Sequence, residues 1–421
     1  MGYYYQRIEV TDFGPYVTKV ILCMPEEVTA EGIPADAFDV YVRVLDKAGT
    51  QVKLPKSFIE RSEFVPSEGA RTVLAAYPGD LEGKKLEKSR YLVLDLAYGP
   101  IYKASSALAA DFTDISGHEI YTICDYTITQ QKSFQGFEGL VFDRCAKVFN
   151  PQAERFTDSA ASNGMRYGYF LPKLNGGRKP VVVWLHGAGE GGFDTPIAYS
   201  GNKVTELTED WAQEKLGGGC IIFAPQCPTM WLDDGSHAYG DSGRSMYTED
   251  LKACIDEFLS DYNDIVDRDR IYIGGDSNGG FMTMRMIMSY PGFFAAAFPI
   301  CEAMIDSRVT DEDIRTMAAM PIWFTHAKND PIVPPDRYVL PTYHRLMAAG
   351  AKNVHFTFWD KIVDLHAGFK NEKGEPWEYM GHFAWIPMLN DDCRTDFDGQ
   401  PVTAEGREVT LIEWLGLQKR D

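Results

Sequence analysis

The chain has 421 residues, of which 45% are hydrophobic and 13% are aromatic. It can therefore bury a substantial core, and it is long enough for two or three domains. Its formal net charge of −20 argues against nucleic acid and anionic membrane surfaces as partners, because both attract Lys and Arg. No apolar run approaches the roughly 18 residues that a membrane-spanning helix needs, so no membrane partner is expected.

The first residues, MGYYYQRIEVTDFG, lack the basic segment followed by an apolar segment that marks a signal peptide. We therefore expect a cytoplasmic protein, or a secreted one if a signal peptide has been removed. The eight cysteines form no C-x-x-C pair, so we expect buried free thiols and no zinc site. No other metal and no organic cofactor is expected for the predicted chemistry. A disulfide between Cys220 and Cys227 stays open as an alternative.

Residues 3–131 show the alternating pattern of β-strands. Two segments place aliphatic side chains on one face at every second position: Val40, Val42 and Val44, and then Leu92, Leu94 and Leu96. Residues 17–24 and 120–130 are further strand candidates, and no helical pattern intervenes. The pattern indicates an immunoglobulin-like β-sandwich over residues 1–150, with self-association into a homo-oligomer as an open expectation.

From residue 151 to residue 421 the pattern alternates between strands and helices. The run PVVVWLH, residues 180–186, is continuously apolar, which is typical of a central parallel strand buried on both faces. Further strands are predicted at 165–171, 220–224, 270–274, 293–300, 321–326 and 353–359, and helices at 203–216, 246–262, 281–290, 335–349 and 409–415. This alternation predicts an α/β domain built on a doubly wound, mostly parallel sheet.

The stretch IYIGGDSNGG, residues 271–280, contains a G-x-S-x-G pattern centred on Ser277. An apolar strand precedes it, and the apolar run FMTMRMIMSY follows it as a buried helix. A serine on a sharp strand-to-helix turn is held with its hydroxyl exposed, and the flanking glycines allow strand and helix to approach closely. The start of the helix also favours negative charge nearby. These features predict Ser277 as a nucleophile.

A serine nucleophile needs a base, and the base needs an acid that orients it. When the serine comes first in the chain, an Asp or Glu and then a His follow it. Asp330 comes directly after the predicted strand 321–326 and is the expected acid, with Asp360 after the next strand as the second candidate. For the base we favour His382, which follows a glycine in a predicted turn, over His366.

Stabilising an oxyanion requires two backbone N–H groups that point at one place. One is expected from Asn278, the residue after the nucleophile, and the other from Ala188, or else Gly187, in the glycine-rich loop after PVVVWLH. Glu190 is expected to hold that loop in place, with binding of a substrate amine as the alternative. His186 is expected to be a structural hydrogen-bonding residue.

The loop TMWLDDGSHAYGDSGRS, residues 229–245, follows a strand end on the side where ligands bind in such sheets. Three of its residues are candidates for lining an acyl or aryl pocket: Trp231, His237 and Tyr239. A solvated loop with no binding role explains the same composition.

Six motifs carry a resemblance to a known family: WLHGAGE, APQCP, GGDSNGG, FAAAFPIC, PIWFTHAKNDPIVP and GHFAWI. With them the chain resembles the α/β-hydrolase superfamily, and within it the prolyl-oligopeptidase-like esterases related to feruloyl esterases and polyhydroxybutyrate depolymerases. Some members of this group carry an N-terminal immunoglobulin-like domain. Asp276 and Asn278 depart from the residues that relatives often have beside the serine, which puts substrate preference in doubt more than activity.

The resemblance and the residues together predict a serine carboxylesterase that hydrolyses a small-molecule or glycan-linked ester through an acyl-enzyme. Ser277, His382 and Asp330 would form the triad. One alternative is a serine peptidase acting on short peptides. The other is a non-enzymatic binding protein, against which the order of serine, aspartate and histidine counts.

Overall fold

The computed structural model describes residues 2–34, 36–56, 60, 62–111, 118–173 and 176–420. The chain divides into two compact units, the first made of Met1–Asp111 and Glu119–Glu154 and the second containing Arg155–Asp421. The predicted division into domains of residues 1–150 and 151–421 stays a prediction.

The first unit is all-β, as predicted, and joins eight strands in one hydrogen-bonded series. In sheet order these strands are Glu68–Arg71, Phe38–Leu45, Ile123–Gln130, Val141–Phe149, Gly2–Thr11, Gly14–Thr29, Lys88–Leu96 and Val73–Gly79. Neighbouring strands are antiparallel except Gly2–Thr11 and Val141–Phe149, which run parallel. Shorter elements complete the described part of the unit: Leu54–Pro55 with Phe64–Val65, Leu108–Asp111 with His118–Tyr121, and a 3-10 turn at Lys103–Ser105.

Alternation along Phe38–Leu45 builds one face of the core of this unit. Val40, Val42 and Val44 are buried, while Tyr41 and Arg43 between them are exposed. The sequence pattern predicted this strand correctly because its apolar period of two matches the pleat of a half-buried strand.

The sequence analysis named no strand candidate over Val141–Phe149, where the structure has a strand. Its five central residues, 144–148, mix polar with apolar side chains and are all exposed, so the strand shows no hydrophobic alternation. It pairs antiparallel with Ile123–Gln130 at its start and parallel with Gly2–Thr11 along most of its length. The long-range pairing with Gly2–Thr11 leaves no local sequence pattern.

The second unit is an α/β domain built on an eight-stranded sheet, which confirms the predicted fold class. Its strands are β1 (Thr157–Ala160), β2 (Arg166–Phe170), β3 (Lys179–Leu185), β4 (Ile221–Gln226), β5 (Val266–Asp276), β6 (Ala296–Ile300), β7 (Ile322–Ala327) and β8 (Val354–Trp359). They are ordered β1-β2-β4-β3-β5-β6-β7-β8. The pairs β1–β2 and β2–β4 are antiparallel, and all other neighbours are parallel.

Eight α-helices lie in the described part of this unit: α1 (Ile197–Ser200), α2 (Asp210–Lys215), α3 (Thr248–Asp261), α4 (Asn278–Ser289), α5 (Asp311–Met317), α6 (Val339–Ala348), α7 (Trp385–Leu389) and α8 (Leu411–Leu417). Short 3-10 helices occur at Ala188–Glu190, Val204–Thr208 and Asp306–Arg308, and a small hairpin pairs Thr403–Ala404 with Arg407–Glu408. A further 3-10 helix, Ala153–Arg155, spans the residue boundary between the two units. The helix predicted at 203–216 is split, because the extended backbone at Glu209 separates Val204–Thr208 from α2. Helix α5 and strand β1 were not predicted.

The core of the α/β domain forms where helices pack on the central strands. Every residue of β3 is buried, as its continuous apolar run predicts. The methionines of α4 serve as core filling, since Met282, Met284 and Met286 are fully buried. The carboxyl ends of β3, β5 and β7 meet at one edge of this sheet, which is where open parallel sheets bind ligands.

All eight cysteines are free, and both Cys220 and Cys227 are buried. The disulfide that the sequence left open is therefore not formed. Within the described ranges, none of the helices combines the length and apolar character needed to cross a bilayer.

Candidate active site

Ser277 occupies a strained turn between β5 and α4. Its backbone angles, φ 54° and ψ −110°, are rarely adopted by a residue with a side chain. A Cβ at Gly275 would lie 2.0 Å from the carbonyl oxygen of Leu185, and one at Gly279 would lie 1.8 Å from the same atom. Only glycine fits at either position, which explains physically why this turn carries the G-x-S-x-G pattern.

The structure brings together the three residues predicted as nucleophile, base and acid. Nε2 of His382 lies 2.9 Å from Oγ of Ser277, and Nδ1 of the same ring lies 2.8 Å from Oδ2 of Asp330. The loop before His382 packs tightly on the loop of the acid, since a Cβ at Gly381 would lie 2.2 Å from Oδ1 of Asn329. This close approach places the imidazole between the other two side chains.

Asp330 is buried and held by hydrogen bonds at both carboxylate oxygens. Oδ1 accepts the backbone N–H groups of Ile332 (2.8 Å) and Val333 (3.0 Å). Burial alone would raise the pKa of Asp330, but hydrogen bonds from His326 and His382 outweigh it and hold that pKa below its ordinary value. The group is therefore an anion that can stabilise a protonated His382.

His326 is a site residue that the sequence analysis missed. Its Nε2 lies 3.1 Å from Oδ2 of Asp330 and 2.9 Å from the carbonyl oxygen of Val333, so this nitrogen carries the proton. The ring is fully buried. Its position within β7, four residues before the acid, is the signal that could have identified it.

The second candidates for acid and base are bound elsewhere. The side chain of Asp360 is 83% exposed and lies 2.5 Å from Nζ of Lys328. His366 is 49% exposed, with Nε2 2.9 Å from Asp392. His382 thus contacts both Ser277 and Asp330, whereas Asp360 and His366 have other partners; the catalytic roles of these residues stay predictions.

The loop after β3 is held by a carboxylate, as the sequence analysis expected for Glu190. Oε2 of this buried side chain accepts the N–H of Gly187 at 2.7 Å. That contact corrects one expectation, because the Gly187 N–H is already engaged and does not point at a substrate. Ala188, at the start of the 3-10 turn, and Asn278, at the start of α4, keep the predicted role of donors.

His186 has the structural role that was predicted. Its Nε2 accepts the N–H of Cys227 at 3.1 Å, and its Nδ1 lies 2.7 Å from the carbonyl oxygen of Gly187. Burial lowers the pKa of His186 to about 4, so the ring is neutral at ordinary pH. It braces the loop and is not available as a base.

The pocket role expected for Trp231 is wrong. The side chain is fully buried, with its ring 5.1 Å from that of His186 and 6.2 Å from that of Tyr247. Burial of this large apolar ring in the core stabilises the protein more than its exposure on the loop would, so the ring lies in the core. The backbone N–H of Trp231 donates to Oδ1 of Asn278 at 2.6 Å, which fixes this loop to α4.

His237 and Tyr239 lie on the surface part of the same loop. His237 is 61% exposed, and its Nδ1 lies 2.8 Å from Oδ2 of Asp233. The rings of His237 and Tyr239 are 6.4 Å apart. Their role in binding a substrate stays a prediction.

Asp276, which the sequence analysis noted only as a departure, is buried directly before Ser277. Its Oδ2 accepts from Nδ2 of Asn202 at 2.9 Å, and the same amide lies 3.1 Å from Oε2 of Glu190. Burial raises the pKa of Asp276 to about 7. Among the described residues, no group of three or more His, Cys, Asp or Glu side chains is arranged to hold a metal ion.

Two family matches cover separate parts of the chain. Residues 8–143 match the esterase Ig-like N-terminal domain. Residues 229–336, which include Ser277 and Asp330, match the prolyl oligopeptidase family. The first match confirms the immunoglobulin-like character predicted for the N-terminal unit.

Two curated proteins are similar to parts of the chain. Feruloyl esterase B of Neurospora crassa is 31% identical over 144 residues, which are 33% of this chain and 44% of that protein. Acyl-protein thioesterase 1 of Eremothecium gossypii is 26% identical over 176 residues, which are 41% of this chain and 64% of that protein. The chain thus matches less than two thirds of the length of either relative.

Among solved structures, that of a thermostable esterase aligns with 99% of this chain and 99% of its own, with a TM-score of 0.70 and 23% identity. This likeness establishes a shared fold over both units. Residues 8–143 are thus similar to the esterase immunoglobulin-like N-terminal domain, residues 229–336 are similar to the prolyl oligopeptidase family, and the chain shares the fold of the thermostable esterase.

Proposed function

We propose that the protein is a carboxylesterase that uses Ser277, His382 and Asp330 as its catalytic triad. The observation that carries the proposal is the continuous hydrogen-bonded path from Oγ of Ser277 through His382 to the Asp330 carboxylate. Such a path lets the histidine accept the serine proton while the acid stabilises the resulting imidazolium.

Acylation would proceed in two steps at Ser277. Its Oγ attacks the ester carbonyl carbon as Nε2 of His382 takes the hydroxyl proton, which gives a tetrahedral oxyanion. The backbone N–H groups of Ala188 and Asn278 would stabilise that oxyanion, and one such donor typically contributes about 10²–10³ in kcat. The intermediate then breaks its bond to the alcohol oxygen, which leaves with the proton from His382.

Hydrolysis of the acyl-enzyme repeats these roles with water as the nucleophile. His382 takes a proton from water as the water oxygen bonds to the acyl carbon. The tetrahedral intermediate collapses, Ser277 leaves with that proton, and the carboxylic acid is released. Because Asp330 is an anion of lowered pKa, it supports the imidazolium in both halves of the reaction.

Two comparisons favour an ester over other acyl substrates. The N-terminal match is named for esterases, and the fungal relative is a feruloyl esterase. We extend this to a small-molecule or glycan-linked carboxylic ester as the substrate class. The buried Trp231 leaves His237 and Tyr239 as the candidates for contacting the acyl or aryl group.

A peptidase acting on short peptides is the second candidate, because residues 229–336 match the prolyl oligopeptidase family. The two activities share the triad and differ in the leaving group, which is an amine for a peptide. A non-enzymatic role is disfavoured, because a binding protein has no need for a strained serine aligned with His382 and Asp330.

Parallel assays with p-nitrophenyl acetate and a peptide p-nitroanilide decide between these functions. We expect turnover of the ester and little release of p-nitroaniline, with both signals abolished in Ser277→Ala. Preferential cleavage of the anilide would favour the peptidase. Retention of both activities in Ser277→Ala would reject the triad.

A further inference from the structure

Two buried carboxyl groups, Glu190 and Asp276, contact the same amide. Nδ2 of Asn202 lies 3.1 Å from Oε2 of Glu190 and 2.9 Å from Oδ2 of Asp276. Glu190 is 4% exposed and Asp276 is 1% exposed. An amide nitrogen carries two hydrogens, so Asn202 can donate one to each acid at the same time.

The two acids belong to the two segments that must be aligned for oxyanion stabilisation. Asp276 is the last residue of β5 and directly precedes Ser277. Glu190 accepts the N–H of Gly187, the residue before the proposed donor Ala188. Asn202 therefore links the nucleophile turn to the loop that presents the second oxyanion donor.

The packing around these groups leaves the loop little freedom. A Cβ at Gly187 would lie 2.7 Å from Oδ2 of Asp276 and 3.2 Å from Oε2 of Glu190. A Cβ at Gly201 would lie 2.3 Å from Oε1 of Glu190. The backbone at Gly187 and at Gly201 thus packs directly against the carboxyl groups, so a change in the positions of these groups shifts the loop.

The protonation of the pair is compatible with this arrangement near neutral pH. Burial raises the pKa of Asp276 to about 7, so its neutral form is populated there. A neutral acid beside a carboxylate avoids the repulsion that two buried anions would suffer. An asparagine at position 276 would keep an oxygen that accepts from Asn202, without the charge.

We propose that Asn202 and Asp276 are positioning residues, which together with Glu190 hold the Ala188 N–H at the correct place relative to Ser277. The proposal rests on the esterase function proposed above. It gives Asp276, the polar residue directly before Ser277, the role of positioning the loop that contains Ala188. A misplacement of about 1 Å can cost about 10²-fold in rate, so a loosened loop should lower kcat more than it changes KM.

The experiment compares Asn202→Ala, Asp276→Ala and Asp276→Asn with wild type in p-nitrophenyl acetate hydrolysis. The matched control is Asn353→Ala. Asn353 is also a half-buried amide that bridges two groups, Gln418 and Trp414, but it lies at the opposite, amino-terminal edge of the sheet, before β8. Active sites are counted with a fluorophosphonate, so kcat refers to folded, reactive enzyme. The affinity for a trifluoromethyl ketone, which forms an oxyanion on binding, is measured in parallel.

We expect Asn202→Ala and Asp276→Ala to lose about 10- to 100-fold in kcat per active site, with a similar loss of trifluoromethyl ketone affinity. KM should change little, and Asp276→Asn should retain most activity. The double variant Asn202→Ala/Asp276→Ala should have about the same kcat as the less active of the two single variants, because both substitutions disrupt the same hydrogen-bonded group. Asn353→Ala should lose stability only.

The proposal is overturned if kcat and ketone affinity of Asn202→Ala match those of Asn353→Ala. If Asn202→Ala does not fold, Asn202→Gln displaces the amide by one methylene and is judged by the same criteria. A wild-type enzyme that neither hydrolyses the ester nor reacts with the fluorophosphonate would instead reject the proposed function. The two failures are thereby distinguished.

Discussion

The backbone carbonyl of Leu185 occupies the space that a side chain on Gly279 would need. A Cβ there would lie 1.8 Å from this oxygen, which is part of β3 and cannot rotate away. Gly279→Ala should therefore lose about 2 kcal/mol or more of stability, together with activity, because the helix must shift. Chemical denaturation measures this loss. Gly240→Ala, where nothing lies within 4 Å of the added atom, should remain as stable as wild type.

The two candidate bases are separable by substitution. His382→Ala removes the imidazole that lies between Ser277 and Asp330 and should lower kcat about 10⁶-fold. His366→Ala removes an exposed partner of Asp392 and should retain nearly full activity. Steady-state kinetics on p-nitrophenyl acetate make the comparison. The reverse ranking would transfer the role of base to His366.

The acid can be tested with an isosteric change. Asp330→Asn should lower kcat about 10⁴-fold, because an amide no longer stabilises the imidazolium and favours the wrong histidine tautomer. Asp360→Asn is the control, since that exposed carboxylate pairs with Lys328. Equal activities of the two variants would contradict the assignment of Asp330.

Much of this site follows from local sequence, and the remainder does not. Ser277 was identifiable because a G-x-S-x-G pattern reflects a steric requirement that Gly275 and Gly279 meet locally. Asp330 was identifiable because it follows a buried strand in the expected order. The role of Asn202 depends on contacts with Glu190 and Asp276, which belong to other segments of the chain. His326 contacts Asp330 and Val333 in the loop that directly follows its own strand, so its spacing from the acid was the available signal. Trp231 lies in a loop that is mostly polar beyond Leu232, and its burial against the ring of His186 was not predicted.

The pH dependence of stability should contain a contribution from Asp276. Its pKa is raised by burial to about 7, whereas an unfolded aspartate titrates near 3.9. Between these values the folded state binds more protons than the unfolded state, so this group lowers stability as pH rises from about 4 to 7. Glu190 and Cys301 are the other titratable groups facing it, and both remain in the variant.

Asp276→Asn should remove this contribution. The free energy of unfolding of the variant, relative to wild type, is expected to increase between about pH 4 and pH 7 and to be constant above. Urea denaturation at several pH values measures the difference, and titrations common to both proteins cancel in it. A difference that does not vary with pH would show that Asp276 is ionised throughout this range in the folded protein.

Identification of the acylated residue tests the central claim most directly. The wild-type enzyme is mixed with p-nitrophenyl acetate, quenched in acid within the first turnovers, digested and mapped by mass spectrometry. We expect one acetyl group on the peptide that contains Ser277, none in Ser277→Ala, and turnover in that variant lowered about 10⁶-fold. An acetyl group on another residue, or wild-type turnover in folded Ser277→Ala, would contradict the account.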